Sequence, residues 1–163
     1  MTDKLANLIS KRHRCLLQLR DLGYMQADLI AKGDMPPLLR LLGAKNQLIV
    51  AMQAIEQELN PFHRQNPEDR NWSTQEARSK CADQADECRK LLDEVMQLEQ
   101  DNEKQMTLRR DQVASQLQAA QAASTARGAY QAQQRRAVQG PHSRSLHDQS
   151  AENHQRLDLH SEV

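Results

Sequence analysis

The sequence LLRLLGAKNQLIVAMQAIEQEL, residues 38–59, predicts the fold of this chain. Within it, side chains recur at alternating spacings of three and four residues: Leu38, Leu41, Lys45, Leu48, Met52, Ile55 and Leu59. In an α-helix this spacing places them on one face, as along the seam of a coiled coil. We call these seven residues the leucine seam. It predicts a helix that packs against other helices along its length, and such proteins are typically recognised by a partner rather than built for catalysis.

The composition leaves little besides helix seams to form a core. The 163 residues are enough for one domain, but only 38% are hydrophobic, and one Trp, one Phe and two Tyr cannot fill a globular interior. With 22 basic and 22 acidic residues the net charge is zero, which argues against a general nucleic-acid or membrane-surface role. No run approaches the roughly 20 apolar residues of a membrane span, and Thr2-Asp3-Lys4 is not typical of a secretory signal. We therefore expect a cytoplasmic protein without membrane insertion.

Residues 1–60 are predicted to form a helical hairpin. The first helix, over 3–32, carries a heptad-like apolar stripe and stops at Gly33, where a left-handed backbone is needed. Asp34 is a suitable N-cap for a second helix over about 35–59. Because the connection is so short, the second helix folds back against the first.

A long third helix is predicted after a linker. Asn60-Pro61 is expected to end the second helix, and residues 61–73 form the linker. The capping-box sequence from Ser73 to Glu76 then starts a helix over 74–136, which contains no Pro and no Gly before Gly128. The fold class is therefore all-α, an elongated antiparallel three-helix bundle or coiled coil. Since the hairpin is about half as long, the back half of the third helix is expected to overhang it.

Residues 137–163 have few apolar residues and no sustained period, so they are predicted to form a mobile tail. Four histidines of this tail match no zinc-ligand spacing: His142, His147, His154 and His160. The chain also lacks GxSxG, HExxH, a paired CxxC and a phosphate-binding glycine loop. We therefore expect no enzyme activity, no cofactor and no metal.

Three cysteines are expected to be reduced, packed thiols. Cys81 and Cys88 lie seven residues apart, about 10 Å along a helix, which is too far for a disulfide. The same spacing places them on one helix face. Cys15 falls within the apolar stripe of the first helix.

The two halves of the third helix carry opposite charge. Residues 76–103 contain nine acidic and four basic residues, whereas residues 104–139 contain six basic residues and only Asp111 as an acid. In an up-down-up bundle, four basic residues of the first helix would lie near the acidic stretch: Lys11, Arg12, Arg14 and Arg20. The alternative is a charged face exposed to solvent.

Two polar residues interrupt otherwise apolar seams. Lys45 lies within the leucine seam, and Asn102 follows the apolar series of the third helix. Polar residues at such positions can fix helix register. The alternative for Lys45 is a packed stem with its ammonium reaching solvent, and the alternative for Asn102 is simple exposure.

The overhanging part of the third helix is the best candidate for binding. An apolar stripe continues there through four residues: Met106, Val113, Leu117 and Ala120. A helical stripe with no internal partner is typical of coiled-coil or helix-in-groove docking. The alternative is that the chain bends back or dimerises and buries the stripe itself.

The chain resembles the FlgN-type flagellar export chaperones. The resemblance lies in ADLIAKGD at 27–34, LLRLL at 38–42 and KNQLI at 45–49, and it extends over about residues 3–130. It implies a cytosolic chaperone, a monomer or weak dimer, that covers the terminal helices of hook-associated proteins of the hook–filament junction and delivers them to the type III export gate.

On that resemblance Met106, Val113, Leu117 and Ala120 would contact the client protein. Tyr130 would dock on a component of the export gate, because family members use a tyrosine near the end of the last helix for this purpose. The alternative for Tyr130 is a half-packed surface tyrosine. The alternative function for the whole chain is a structural coiled-coil scaffold that assembles with itself.

Overall fold

The computed structural model describes residues 1–140 and confirms the all-α fold with a long third helix. Its elements are α1 (Thr2–Lys32), α2 (Met35–His63), a single 3₁₀ turn (Pro67–Asp69) and α3 (Gln75–Gln139). No β-strand lies within these 140 residues. Residues 137–139, expected in the tail, belong to α3. The predicted mobile tail from residue 141 onward, with its four histidines, lies outside the described residues.

The described chain divides into two units, residues 1–111 and a second unit that begins at residue 112. In the first, the core gathers apolar side chains from all three helices: Leu5, Leu8, Ile9, Leu16, Ile55, Leu59, Phe62, Cys81, Cys88 and Leu91. The leucine seam lies on the inner face of α2, where every member is buried or half-buried. Burial of these stripes, rather than helix propensity, stabilises the helices.

The turn between α1 and α2 follows the prediction for Gly33. Its φ is +70°, in the left-handed region that glycine adopts without strain. Its N–H donates to Ile30 O at 3.1 Å, and the Asp34 N–H donates to Leu29 O at 3.2 Å. These two bonds satisfy the last carbonyls of α1 in the manner of a Schellman motif. Asp34 occupies the N-cap position of α2, although its side chain makes no capping hydrogen bond.

Helix α3 lies parallel to α1 at a constant register. Three hydrogen-bonded contacts join the two helices at a sequence separation of 79 residues: Ile9 with Cys88, Gly23 with Asn102, and Ile30 with Arg109. Both members of each pair advance in the same direction along the chain. The helices therefore have the up-down-up order expected from the sequence.

The prediction that Asn60-Pro61 ends α2 is wrong by about one turn, since the helix continues to His63. Pro61 removes only one backbone hydrogen bond so close to the helix end. The next residue, Phe62, is buried in the core, and its carbonyl accepts a hydrogen bond from Arg70 at 2.6 Å. These contacts stabilise the extra turn.

The predicted capping box at Ser73–Glu76 is also wrong. Thr74 is the N-terminal cap, since its Oγ1 accepts a hydrogen bond from the Ala77 N–H at 3.1 Å. With α3 beginning at Gln75, Glu76 is the second helical residue and cannot make the reciprocal bond, which requires the third position.

The charged contacts differ in detail from the expectation. Arg12 forms its ion pair with Glu56 of α2, and Arg20 pairs with its neighbour Asp21. Lys11 and Arg14 are exposed. Two other α1 residues reach the acidic half of α3: His13 Nε2 lies 2.8 Å from Glu87, and the Tyr24 hydroxyl donates to Glu94 at 2.7 Å.

Gly43→Ala is expected to raise the free energy of unfolding by about 0.5–1 kcal/mol, because glycine inside a helix is less favourable than alanine. A Cβ at Gly43 meets no atom within 4 Å. Gly23→Ala is the matched control, since its Cβ would lie 3.2 Å from Leu98 Cδ1 and should gain less. Urea denaturation followed by circular dichroism measures both. Equal gains in the two variants would contradict the close α1–α3 approach at Gly23.

Candidate binding surface

A polar layer joins the three helices within the first unit, formed by the buried Gln26, Lys45 and Asn102 and by the partly exposed Glu99. Lys45 is only 4% exposed, and its Nζ donates to Gln26 Oε1 at 2.7 Å and forms an ion pair with Glu99. Burial lowers the pKa of Lys45 from its usual range. The alternative in which its ammonium reaches solvent is therefore wrong.

Asn102 belongs to the same layer and is 2% exposed. Its Nδ2 donates to Gly23 O at 2.9 Å, although that carbonyl lies inside α1. The absence of a side chain at Gly23 permits this approach. Asn102 therefore fixes the α1–α3 register, and the alternative of simple exposure is wrong.

Beyond Asn102, two side chains of α3 still contact α1. Met106 is half-buried, with its sulfur 3.7 Å from Gln26 Nε2. Arg109 Nε donates to Ile30 O at 3.2 Å, and its guanidinium also reaches Ala31 O. Ile30 O therefore accepts a second hydrogen bond besides that from the Gly33 N–H, and Arg109 caps the last turn of α1.

The other three predicted client-binding residues lie in the second unit and are exposed. Val113, Leu117 and Ala120 follow one another at spacings of four and three residues, which places them on one face of α3. We call these three residues the C-terminal stripe. Leu117 is 58% exposed, and every residue from 107 to 140 is classed as exposed. The structure thus separates Met106, packed on α1, from the C-terminal stripe.

Tyr130, the predicted gate-docking residue, is also exposed in the second unit. Counted from Leu117 it lies 13 residues further along α3, which rotates it well away from the C-terminal stripe. A partner bound to the stripe would therefore leave the Tyr130 face open.

Sequence reasoning missed two residues that join α3 to α1, Gln26 and Arg109. Both continue a seam pattern: Gln26 lies three residues after Gly23, and Arg109 lies seven residues after Asn102. The sequence could have identified both residues as long polar side chains at seam positions. Their partners, however, are on other helices and depend on the register.

The remaining features of the described chain offer little for chemistry. A cavity of about 610 Å³ lies beside the 3₁₀ turn, lined by residues that include Phe62 and Arg70. Burial raises the pKa of both Cys81 and Cys88, which keeps these thiols protonated and unreactive. Within residues 1–140, no three His, Cys, Asp or Glu side chains come together to hold a metal ion.

No helix among the described residues combines the length and the apolar character needed to cross a membrane.

No known protein family, curated protein or solved structure matches this chain.

Proposed function

We propose that this protein is a cytoplasmic export chaperone. It binds the terminal helices of hook-associated proteins, which form the flagellar hook–filament junction, and delivers them to a component of the type III export gate. The proposal is supported by the resemblance of residues 27–34, 38–42 and 45–49 to the FlgN-type chaperones. It needs neither a cofactor nor a catalytic step.

The observation that carries the proposal is the exposure of the C-terminal stripe. All buried apolar residues of the first unit come from positions 5–95, and its last buried side chain is Asn102. The first unit therefore has a core without using Val113, Leu117 or Ala120. Removing exposed leucine and valine side chains from water, by contact with another apolar surface, is favourable and would stabilise a complex.

A client helix is the fitting occupant for this surface. Gln and Ala dominate the positions around the stripe, with Gln116 and Gln118 on either side of Leu117. Small and flexible side chains allow another helix to approach closely, as in coiled-coil docking. Terminal helices of subunits that polymerise are apolar along one face, so the same contact keeps them from associating early.

Leu117→Asp is expected to weaken the complex with a purified hook-associated protein at least tenfold, because a charge in an apolar helix contact is costly to desolvate. Isothermal titration calorimetry measures the affinity, and circular dichroism checks that overall helicity is unchanged. Leu39→Asp is the matched control, since Leu39 is a similarly exposed leucine on α2. Unchanged affinity in Leu117→Asp would contradict the assigned surface.

The alternative function, a self-assembling scaffold, uses the same exposed face. Sedimentation velocity over a wide concentration range distinguishes the two. An export chaperone remains a monomer or weak dimer until its client is added, whereas a scaffold forms a stable oligomer that Leu117→Asp dissociates.

A further inference from the structure

We infer that the client segment is an acidic amphipathic helix, whose carboxylates face Arg127 and Arg135 while its apolar residues cover the C-terminal stripe. The inference rests on the proposed function and adds the chemistry by which the client would be recognised. It is argued from the charge and the spacing of side chains on the second unit.

All charged residues in the described part of the second unit are basic. Residues 112–140 contain Arg127, Arg135 and Arg136 but no Asp or Glu. All three arginines are exposed, and none forms an ion pair within residues 1–140. The first unit differs, since its basic residues often pair with acids, as Arg78 does with Glu68 at 3.0 Å.

Two of the arginines lie on the same helix face as the stripe. Arg127 follows Ala120 by seven residues, which is about two turns, and Arg135 follows Leu117 by 18 residues, which is about five turns. A helix lying along this face therefore meets apolar side chains first and arginines roughly 10–25 Å further on. Arg136 is rotated by about 100° from Arg135 and lies away from this face.

This arrangement favours an acidic client over a second copy of the segment. A second copy of residues 112–140 brings no carboxylate, so pairing the two segments leaves every arginine without a counterion. An acidic client supplies the counterions and also fixes its own direction along α3. The acidic excess of residues 76–103 would in turn repel it from the first unit.

Two synthetic 28-residue peptides test the inference, with identical leucine seams and with either glutamates or lysines beside the seam in the half that faces the arginines. Fluorescence anisotropy measures their affinity for the full chain at low and high salt. The glutamate peptide is expected to bind about tenfold more tightly at low salt, because each exposed ion pair contributes a factor of about two to five. The difference should shrink as salt screens the charges.

Arg127→Gln/Arg135→Gln should abolish the preference for the glutamate peptide. Arg14→Gln/Arg40→Gln is the matched control, because it removes the same charge from two exposed positions of the first unit and should keep the preference. Equal affinities of the two peptides, tighter binding of the lysine peptide, or no binding of either would overturn the inference.

Parallel titration with the hook-associated protein separates the two possible failures. If that protein binds while the peptides show no preference, the acidic chemistry is wrong and the proposed function stands. If neither the protein nor the peptides bind, both are wrong. A stable dimer of the chain alone that excludes the glutamate peptide would assign the face to a second copy and overturn the inference.

Discussion

Leu59→Ala is expected to lower the free energy of unfolding by about 3 kcal/mol, within the range of about 2–5 kcal/mol for leucines truncated in a packed core. Leu59 is completely buried, at the C-terminal end of the leucine seam and among core residues of all three helices. Truncation removes apolar contacts and leaves a cavity that rigid helix backbones can only partly close. The measurement is guanidinium denaturation followed by the fluorescence of Trp72, which packs against this core.

Leu39→Ala is the matched control, because Leu39 is on the same helix but 64% exposed. It should change the free energy of unfolding by less than about 0.5 kcal/mol. Comparable losses in the two variants would contradict the assignment of the inner face of α2. A loss below about 1 kcal/mol for Leu59→Ala would contradict the packed core itself.

Lys45→Ala is expected to destabilise the protein by about 2–3 kcal/mol. The substitution removes the packed stem of the lysine, and it leaves the buried Gln26 without its hydrogen-bond donor. Lys45→Met also leaves Gln26 without its donor but should cost less, about 1–2 kcal/mol, since methionine keeps the apolar volume and Glu99 is exposed enough to be hydrated. Urea denaturation of both variants measures the difference.

A double-mutant cycle of Lys45→Met with Glu99→Gln isolates the ion pair from the packing. We expect a coupling free energy near 1 kcal/mol, because the Glu99 side chain is 46% exposed and solvent screens the pair. If Lys45→Ala were no worse than Lys45→Met, the stem would not be packed. A coupling free energy of zero would show that Glu99 does not interact with Lys45.

Much of the fold could be predicted because local rules and the global fold agree. The alternating spacing of the leucine seam defined the inner face of α2, and Gly33 marked the end of α1 correctly. The errors came from tertiary contacts. Phe62 keeps α2 helical past Pro61 because it is buried, and no local signal distinguishes that phenylalanine from one in a loop.

The partners in the polar layer could not be predicted either. Lys45 reaches a glutamine on α1 and a glutamate on α3, and both contacts depend on the three-dimensional arrangement of the helices. A lysine in a seam more often places its ammonium in solvent. Here two polar groups at the right register make burial tolerable.

The sequence predicted which face of α3 is apolar, but it did not predict where along α3 burial ends. Heptad spacing joins Met106, Val113 and Leu117, yet only the last two are freely exposed. The 79-residue register places Lys32, the last residue of α1, opposite position 111, which is also where the first unit ends. The length of α1 therefore determines where burial of α3 stops, and that follows from the register rather than from α3 alone.

Hydrogen exchange of the full chain, with and without a purified hook-associated protein, tests most directly whether the C-terminal stripe is an open binding surface. In the free protein, amides of residues 112–124 should exchange faster than those of residues 81–102, because only the latter lie in a packed bundle. Addition of the junction protein should slow exchange over residues 112–124 and leave α2 unchanged. Slow exchange of residues 112–124 in the free protein, or protection confined to residues 1–102 in the complex, would contradict this assignment.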